Sequence, residues 1–321
     1  MARRLVAAAS ALMVLITLAL LAGVAVIALG GANAPRVALT VFTGAVTILR
    51  PGAATAVRGH TGDTLIANET VATAADTKGA INYPDGSVTR LDSDTRVTVT
   101  ITRDAQGALH TSLVQPLGLT WNAVQRLAAG STFKVSGPNS ASAEVRGTRF
   151  GYYVEHDPAG NPVIWIDTWS GSVLVGGATG SPVLATTGQR VTVRQGAAPT
   201  TPVAIPAADF ELSFTVFNRT LESVTAKPFA FQNGTLASGQ VTPTYSVPAD
   251  GRSDLQFVLG WPGSASELTV VDPDGNLFSQ TSSATAPLSV VAHRARAGTW
   301  TFHVRDVQSD APEPWWVIVG R

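Results

Sequence analysis

Short runs in which hydrophobic and polar positions alternate fill most of this chain, and clusters of turn residues separate the runs. Alternation with a period of two indicates strands that bury one face. Between residues 37 and 194 these runs follow one another closely, with Gly-Asp, Pro-Asp-Gly and Asp-Pro-Ala-Gly turns between them. The pattern predicts a mainly β protein whose first domain, residues 37–194, is a sandwich or a solenoid-like sheet.

The alternation changes phase at one glycine. Hydrophobic residues occupy odd positions at Ala143 and Val145 but even positions at Phe150 and Tyr152. Because a slip of one residue turns every later side chain to the opposite face, we expect a bulge or tight bend at Gly147. Glycine tolerates the positive φ angles that such bends require.

Two segments have a helical period. Residues 119–127 place Trp121, Val124 and Leu127 on one face, so we expect a short helix that packs on the sheet. Residues 207–222 carry phenylalanines at spacings of four and three, which predicts an amphipathic helix. This second helix falls within a segment rich in Pro, Ala, Thr, Ser and Gly, residues 195–252, which we interpret as a linker.

The strand pattern returns from residue 253, and an Asp-Pro-Asp-Gly sequence at 272–275 predicts a hairpin turn. We expect a small jelly-roll-like β-sandwich over residues 253–321. Its predicted strands are residues 255–259, 266–271, 288–291, 299–304 and 315–319.

An uncharged apolar run, residues 5–31, follows Arg3 and Arg4. As a helix it would extend about 40 Å, which exceeds the ~30 Å hydrocarbon core of a bilayer. We therefore predict that residues 1–34 are a signal anchor with a cytoplasmic N-terminus, and that the bulk of the chain is extracytoplasmic. The alternative is cleavage after Ala34, followed by secretion, because the preceding residues have a small-x-small pattern.

Charge and cysteine content narrow the function classes. The chain has 22 basic and 22 acidic residues, so its formal net charge is zero, which argues against broad electrostatic binding of nucleic acid. It has no cysteine, which excludes disulfides, thiolate metal sites and a cysteine nucleophile.

No catalytic, cofactor-binding or metal-binding constellation is evident in the sequence. The five histidines are not paired at ligand spacing, and no Gly-x-Ser-x-Gly motif occurs. Asp272, Asp274 and Asn276 have the spacing of the start of a calcium loop, but the later positions do not fit, so a tight turn is favoured. We expect a protein that is not an enzyme.

Several short motifs occur in the order that is typical of one family. They are Gly62-Asp63, Val71-Ala72-Thr73, Asp85-Gly86-Ser87, Thr132-Phe133-Lys134-Val135, Arg146-Gly147-Thr148 with Phe150, Gly171-Ser172-Val173-Leu174-Val175 and Gly188-Gln189-Arg190-Val191. With these motifs, residues 46–193 resemble a FecR domain, a β-rich extracytoplasmic module. The resemblance implies structural roles for Gly62, Asp63, Asp85, Gly86, Arg146, Gly147, Thr148, Phe150, Gly171 and Gly188.

Three residues remain open as contact sites. Arg146 is either a ligand anchor or a structural arginine that bonds backbone carbonyls or a carboxylate, and we favour the structural role. Trp315 and Trp316 lie on opposite faces of one predicted strand, so one of them is expected to be exposed and available to a sugar or a protein.

The sequence therefore predicts a non-enzymatic, membrane-anchored envelope module that binds or scaffolds an unidentified envelope protein or cell-wall polymer. Two alternatives stay open. The chain could be a sensing component that associates with a membrane protein through its transmembrane helix. It could also be an accessory protein that binds cell wall or carbohydrate, since aromatic residues on a sandwich face can stack on sugars.

Overall fold

The structure is a computed structural model that describes residues 36–321, and it divides into two compact units at Pro202 and Val203. The predicted signal anchor, residues 1–34, lies outside the described residues. Within residues 36–321 no helix combines the length and the apolar character needed to cross a membrane. The prediction of a mainly β protein is confirmed.

The first unit consists of two layers of mostly antiparallel strands. In spatial order, layer A contains β4 (Thr64–Leu65), β1 (Val37–Thr43), β6 (Lys78–Asn82), β7 (Val88–Leu91), the second half of β9 (Leu109–Ala123), β12 (Arg149–His156), β13 (Pro162–Ser170) and β16 (Gln189–Arg194). Layer B contains β3 (Val57–Gly59), β2 (Val46–Leu49), β5 (Glu69–Thr73), β8 (Arg96–Arg103), the first half of β9, β10 (Thr132–Ser136), β11 (Ser142–Val145), β14 (Ser172–Gly176) and β15 (Val183–Thr186). A short 3₁₀ turn, Pro138–Ser140, joins β10 to β11.

Strand β9 belongs to both layers. Its first half pairs with β8 and, in parallel, with β10, whereas residues 118–123 pair with β12. The chain changes layer near Gly118, where φ is +89° and an added Cβ would lie 2.5 Å from the Thr95 Cα. Only glycine fits that corner, because the backbone conformation and the close approach both oppose a side chain.

The helix predicted at residues 119–127 is therefore wrong, because residues 119–123 are strand. In this strand the side chains that face the core are those of Thr120 and Asn122. Their register partners on β12 are Tyr152 and Phe150, which also face the core. Polar residues at core positions hide the period of two, and the remaining apolar residues then imitate a helical face.

A single hydrophobic core fills the space between the layers, with side chains from both. Layer A contributes Leu39, Ile81, Leu91, Phe150, Tyr152, Ile164, Ile166 and Val191, and layer B contributes Val46, Val71, Val97, Leu113, Phe133, Val135, Val145 and Val173. All of these side chains are buried. Burial of apolar surface on this scale is the main favourable contribution to folding.

The phase change in the sequence marks a passage between the layers. Val145 ends β11 in layer B and Phe150 lies in β12 of layer A, yet both side chains enter the same core. Residues 146–148 make the crossing, and Gly147 has φ +134°. The tight bend predicted at Gly147 is thus present, and it separates two strands of two sheets.

A chain of hydrogen bonds between side chains runs through this core. The bonds, in donor-to-acceptor order, are Tyr83 Oη to Thr89 Oγ1 (3.1 Å), Thr89 Oγ1 to Asn122 Oδ1 (2.8 Å), Asn122 Nδ2 to Thr120 Oγ1 (3.1 Å), Thr120 Oγ1 to Gln115 Oε1 (2.7 Å), and Gln115 Nε2 to the carbonyls of Gly118 (2.7 Å) and Tyr152 (2.9 Å). The Tyr83 hydroxyl only donates, and each threonine hydroxyl accepts one bond and donates the next, so the chain has one consistent direction. Burial raises the pKa of the Tyr83 phenol well above its usual range, which keeps the donor at its start protonated.

The second unit is a sandwich of two four-stranded sheets. One sheet contains β18 (Pro228–Leu236), β25 (Glu313–Gly320), β20 (Leu255–Gly260) and β23 (Leu288–Ala292), and the other contains β19 (Tyr245–Ala249), β24 (Gly298–Gln308), β21 (Ala265–Val271) and β22 (Leu277–Ser283). The unit also contains β17 (Val203–Ala204), a 3₁₀ turn at Ala207–Phe210 and helix α1 (Ser213–Ser223).

This sandwich begins earlier than predicted. The five expected strands are present as β20, β21, β23, β24 and β25, but β18 and β19 lie within residues 195–252, which the sequence marked as a linker. The β22 strand, with the sequence Leu-Phe-Ser-Gln-Thr-Ser-Ser, was also not predicted. The β18 and β22 strands lie at sheet edges and carry many polar residues, so they lack a clear apolar alternation.

Thr120→Val should destabilise the first unit, because it removes the central link of the buried hydrogen-bond chain. The Gln115 Oε1 loses its hydroxyl donor and the Asn122 amide loses an acceptor, inside a core that water does not reach. We expect a loss of about 1–3 kcal/mol in the free energy of unfolding, measured by denaturant titration.

The matched control is Thr98→Val, which breaks the Thr70–Thr98 hydroxyl pair on a half-exposed strand surface. Water can replace that bond, so we expect a change within about 0.5 kcal/mol. Equal effects of the two variants would show that the buried chain contributes nothing special to stability.

Candidate functional site

A cavity of about 390 Å³ opens beside the loop that crosses between the layers. It is lined by Ala123, Val124, Gln125, Arg126, Arg146, Gly147, Thr148, Arg149 and Ser170. Three of the nine lining residues are arginines and none is acidic. The cavity is therefore a concentration of positive charge on a molecule with zero formal net charge.

Two chain segments meet at this cavity and are bonded to each other. Thr148 donates its backbone N–H to the Val124 carbonyl (3.2 Å), and Val124 donates its N–H to the Thr148 carbonyl (3.0 Å). Farther along, the N–H of Leu127 bonds the carbonyl of Arg146 (3.3 Å). These three bonds place the segment 124–127 alongside the segment 146–148, so an arginine from each segment lines the same cavity.

Gly147 permits that approach. A Cβ at position 147 would lie 3.0 Å from the Arg126 Cα and 3.4 Å from the Arg126 backbone nitrogen, and φ is +134°. A side chain there would oppose both the backbone conformation and the contact between the segments. The glycine of the Arg-Gly-Thr motif therefore brings Arg126 next to Arg146.

The hydroxyl of Thr148 holds the loop from the other side. It donates to the carbonyl of Ser172 (2.8 Å), and a Cβ on the neighbouring Gly171 would lie 3.0 Å from the Gly147 carbonyl oxygen. Gly171 in turn donates its N–H to the hydroxyl of Thr187 (3.0 Å). The Arg-Gly-Thr motif and the later Gly-Ser motif are therefore parts of one compact corner.

The Asp-Gly-Ser turn supports the same corner. Asp85 accepts bonds from the backbone N–H and the hydroxyl of Ser87, at 2.9 and 3.0 Å. The Ser87 hydroxyl oxygen accepts the N–H of Gln125 (3.0 Å), the residue before Arg126. The Asp85 carboxylate is thus bonded within its own turn. Ser87 links this turn to the segment that contains Arg126.

Arg126 and Arg146 themselves are exposed, and within residues 36–321 neither side chain has a hydrogen bond or an ion pair. The structural role that we favoured for Arg146, with its guanidinium bonded to a carbonyl or a carboxylate, is therefore wrong. The motif fixes the backbone of Arg146, and Arg146 lines the cavity as an exposed residue. Arg149, also exposed, is the third arginine of the lining, but unlike the other two it has an interaction partner.

Comparison with known families agrees with these motifs. Residues 69–174 match the sequence model of the family described as FecR protein, within the range 46–193 expected from the motifs. The chain contains a FecR domain. The matched range includes the Asp-Gly-Ser turn, Arg126, the Arg-Gly-Thr motif and Gly171, so the arginine-lined cavity lies inside the FecR domain.

No curated protein matches the chain. Among solved structures, an exo-beta-1,3-galactanase from Phanerochaete chrysosporium with bound beta-1,3-galactotriose is similar at 9% identity, covering 80% of this chain and 97% of that chain, with a TM-score of 0.19. A structure of infectious bursal disease virus, Gx strain, is similar at 11% identity, covering 89% of this chain and 68% of that chain, with a TM-score of 0.17. At these scores neither structure bears on the fold or the function of this chain.

The remaining motif residues stabilise the FecR-like unit away from the cavity lining. Asp63 accepts the N–H of His60 (2.8 Å) in a turn completed by Gly62, whose φ is +96°. Gly188, with φ +81°, donates its N–H to the Thr168 carbonyl (2.7 Å). Phe150 is fully buried in the core.

Trp315 and Trp316 are both buried, so the expectation that one of them faces solvent is wrong. Trp315 packs inside the sandwich, where its ring centroid lies 5.9 Å from that of Tyr245. Trp316 packs on the opposite face against Phe217 of α1, at 5.6 Å. Helix α1 covers the second face of this strand, a packing that the spacing of two tryptophans does not reveal.

The structure also assembles a hydroxyl, an imidazole and a carboxylate that the sequence did not indicate. The Thr132 hydroxyl lies 3.1 Å from His110 Nδ1, and His110 Nε2 lies 3.2 Å from Asp104 Oδ2. Thr132 and His110 are register partners on the parallel strands β10 and β9, which sequence spacing cannot show. The backbone N–H of Ala108, with help from His110, lowers the pKa of Asp104.

This array has the order of a catalytic triad, but none of its members lines the arginine cavity. A second cavity, of about 340 Å³, is lined by residues that include Asp157 and Arg194, and no member of the array lines it either. Within residues 36–321 no group of three or more His, Asp or Glu side chains is placed to hold a metal ion. The arginine-lined cavity is therefore the strongest candidate site.

Gly147→Ala should destabilise the FecR domain more than Gly160→Ala does. Both glycines have positive φ, but a Cβ at position 160 meets nothing within 4 Å, whereas at position 147 it meets the Arg126 backbone. We expect Gly147→Ala to cost about 1 kcal/mol more in the free energy of unfolding, measured by denaturant titration. Equal losses for the two variants would mean that the close approach to Arg126 imposes no constraint.

Proposed function

We propose that this chain is a non-enzymatic, membrane-anchored binding module of the cell envelope. In this proposal the arginine-lined cavity of the FecR domain is the surface that contacts an envelope protein or a cell-wall polymer. The observation that carries the proposal is the pair of exposed guanidiniums, Arg126 and Arg146, which have no partner within residues 36–321 although the backbone beneath them is tightly bonded.

The rigidity of the supporting backbone favours a binding role. A surface arginine that serves only solubility needs no fixed backbone, because its long side chain is equally hydrated in many positions. Here a glycine of positive φ, a threonine hydroxyl and an Asp-Gly-Ser turn all support the two segments that present the arginines. Binding groups on a preorganised backbone lose less conformational entropy when a ligand arrives.

The chemistry of the lining favours binding over catalysis. Guanidiniums are permanent donors that neither accept a proton nor attack a substrate. Of the two hydroxyls in the lining, that of Thr148 is committed to the Ser172 carbonyl, and no histidine or carboxylate lies in the lining to activate Ser170. General acid–base or nucleophilic catalysis requires such a partner within hydrogen-bond reach.

The apolar run at residues 5–31, preceded by Arg3 and Arg4, supports the envelope location. An anchored chain would present its FecR domain on the extracytoplasmic side. A protein in that place that lacks disulfides has to rely on its core, and the two-layer core with its buried hydrogen-bond chain is suited to that requirement.

Site-specific photo-crosslinking in intact cells tests the proposal. A photo-reactive amino acid in place of Gln125, at the cavity, is compared with the same amino acid in place of Arg58, an exposed position on edge strand β3. We expect an adduct with an envelope component from position 125 that does not form from position 58. We also expect that Arg126→Gln with Arg146→Gln removes this adduct.

An adduct from position 125 that persists in the double arginine variant would overturn the role of the cavity. The same adducts from both positions, or no envelope adduct from position 125, would overturn the binding role itself. Folding of each variant is checked by its thermal unfolding, so that loss of the adduct is not confused with loss of the domain.

A further inference from the structure

We infer that the arginine-lined cavity is a phosphate-binding site that takes the phosphomonoester group of its ligand. This inference rests on the proposed function and names the chemistry that the cavity recognises. Neither the Arg-Gly-Thr motif nor the FecR match assigns a ligand to these residues, and Arg126 lies outside every motif that identified the domain.

The charge of the lining selects an anion. Arg126, Arg146 and Arg149 line one cavity of about 390 Å³ without a carboxylate among the lining residues. Asp85, in the turn whose Ser87 bonds the Gln125 N–H, is occupied by the N–H and hydroxyl of Ser87. Arg126 and Arg146 have no partner among residues 36–321, so a bound anion is attracted by both of these positive charges together.

The number and origin of the available arginines favour phosphate over a carboxylate. A single guanidinium can satisfy both oxygens of a carboxylate in one bidentate pair. Arg126 and Arg146 come from two segments that meet at the cavity, and neither has a partner within residues 36–321. A phosphomonoester carries about 1.5–2 negative charges and three acceptor oxygens, so it can bond two guanidiniums at once.

The size of the cavity fits a phosphate with a small attached group. Sites for small molecules span roughly 300–1,000 Å³. At about 390 Å³ the cavity has room for one sugar-sized group beyond the phosphate. The Ser170 hydroxyl in the lining offers a further polar contact. The phosphate could belong to a soluble sugar phosphate or to a lipid headgroup, and the chemistry at the arginines is the same for both.

Binding of glycerol 3-phosphate to the full chain tests the inference, with sodium acetate at matched ionic strength as the carboxylate probe. Calorimetric titration should show saturable binding of glycerol 3-phosphate, and acetate should bind at least about 10-fold more weakly. Arg146→Gln and Arg126→Gln should each weaken the phosphate affinity about 10-fold, since each removes charge-assisted hydrogen bonds. The matched control, Arg58→Gln, removes an exposed arginine on edge strand β3 that does not line the cavity, and it should leave the affinity unchanged.

Vesicles distinguish the two sources of phosphate. If the natural ligand is a lipid headgroup, phosphatidylcholine vesicles containing phosphatidic acid should bind more tightly than glycerol 3-phosphate, and pure phosphatidylcholine vesicles should not bind. If it is a soluble phosphate, the two probes should bind alike. Either pattern supports the phosphate site, provided that Arg146→Gln weakens it.

Three results would overturn the inference: unchanged phosphate affinity in Arg126→Gln and Arg146→Gln, an equal loss in Arg58→Gln, or equal affinity for acetate. Thermal unfolding of each variant establishes that it is folded before binding is compared. Failure here is distinct from failure of the proposed function. If the position-125 adduct forms and depends on the arginines but phosphate does not bind, the proposed binding function stands and only the phosphate ligand class is refuted.

Discussion

The passage of the chain between two sheet layers at residues 146–148 is the constraint on which the rest of the candidate site depends. Val145 and Phe150 are only five positions apart, yet they enter one core from opposite layers. The connection has to turn sharply, and it runs so close to the Arg126 backbone that a Cβ at Gly147 would lie 3.0 Å from the Arg126 Cα. Glycine is required by this geometry, and the same geometry places two arginines side by side.

The structure therefore separates two roles within one motif. The backbone of Arg-Gly-Thr is structural, because Gly147 permits the close approach and Thr148 ties the loop to Ser172. The side chain of Arg146 has no structural bond within the described residues, so its charge is available for a ligand. One sequence motif can in this way contain both the residues that shape the backbone, Gly147 and Thr148, and a side chain that is available for binding, Arg146.

Much of the fold could be predicted from the sequence where hydrophobic alternation and the burial pattern coincide. This holds for the strands at 288–291 and 299–304, and for the bend at Gly147. Prediction failed where polar residues occupy core positions, as at Thr120 and Asn122, whose hydrogen bonds are invisible in a hydrophobicity pattern. It also failed for Trp316, since the helix that covers it is distant in sequence.

Of the two unpartnered arginines of the candidate site, only one could be predicted from the sequence. Arg146 belongs to a recognisable motif, whereas Arg126 follows a strand and belongs to no motif. Only the hydrogen bonds between the segments at 124–127 and 146–148 bring the two together.

The most direct test of the account is an NMR titration of the arginine Nε–H resonances with inorganic phosphate at constant ionic strength. The account predicts that the resonances of Arg126 and Arg146 shift together and saturate, while that of Arg58 stays in place. Uniform small shifts of all three, or no shift at Arg146, would contradict it.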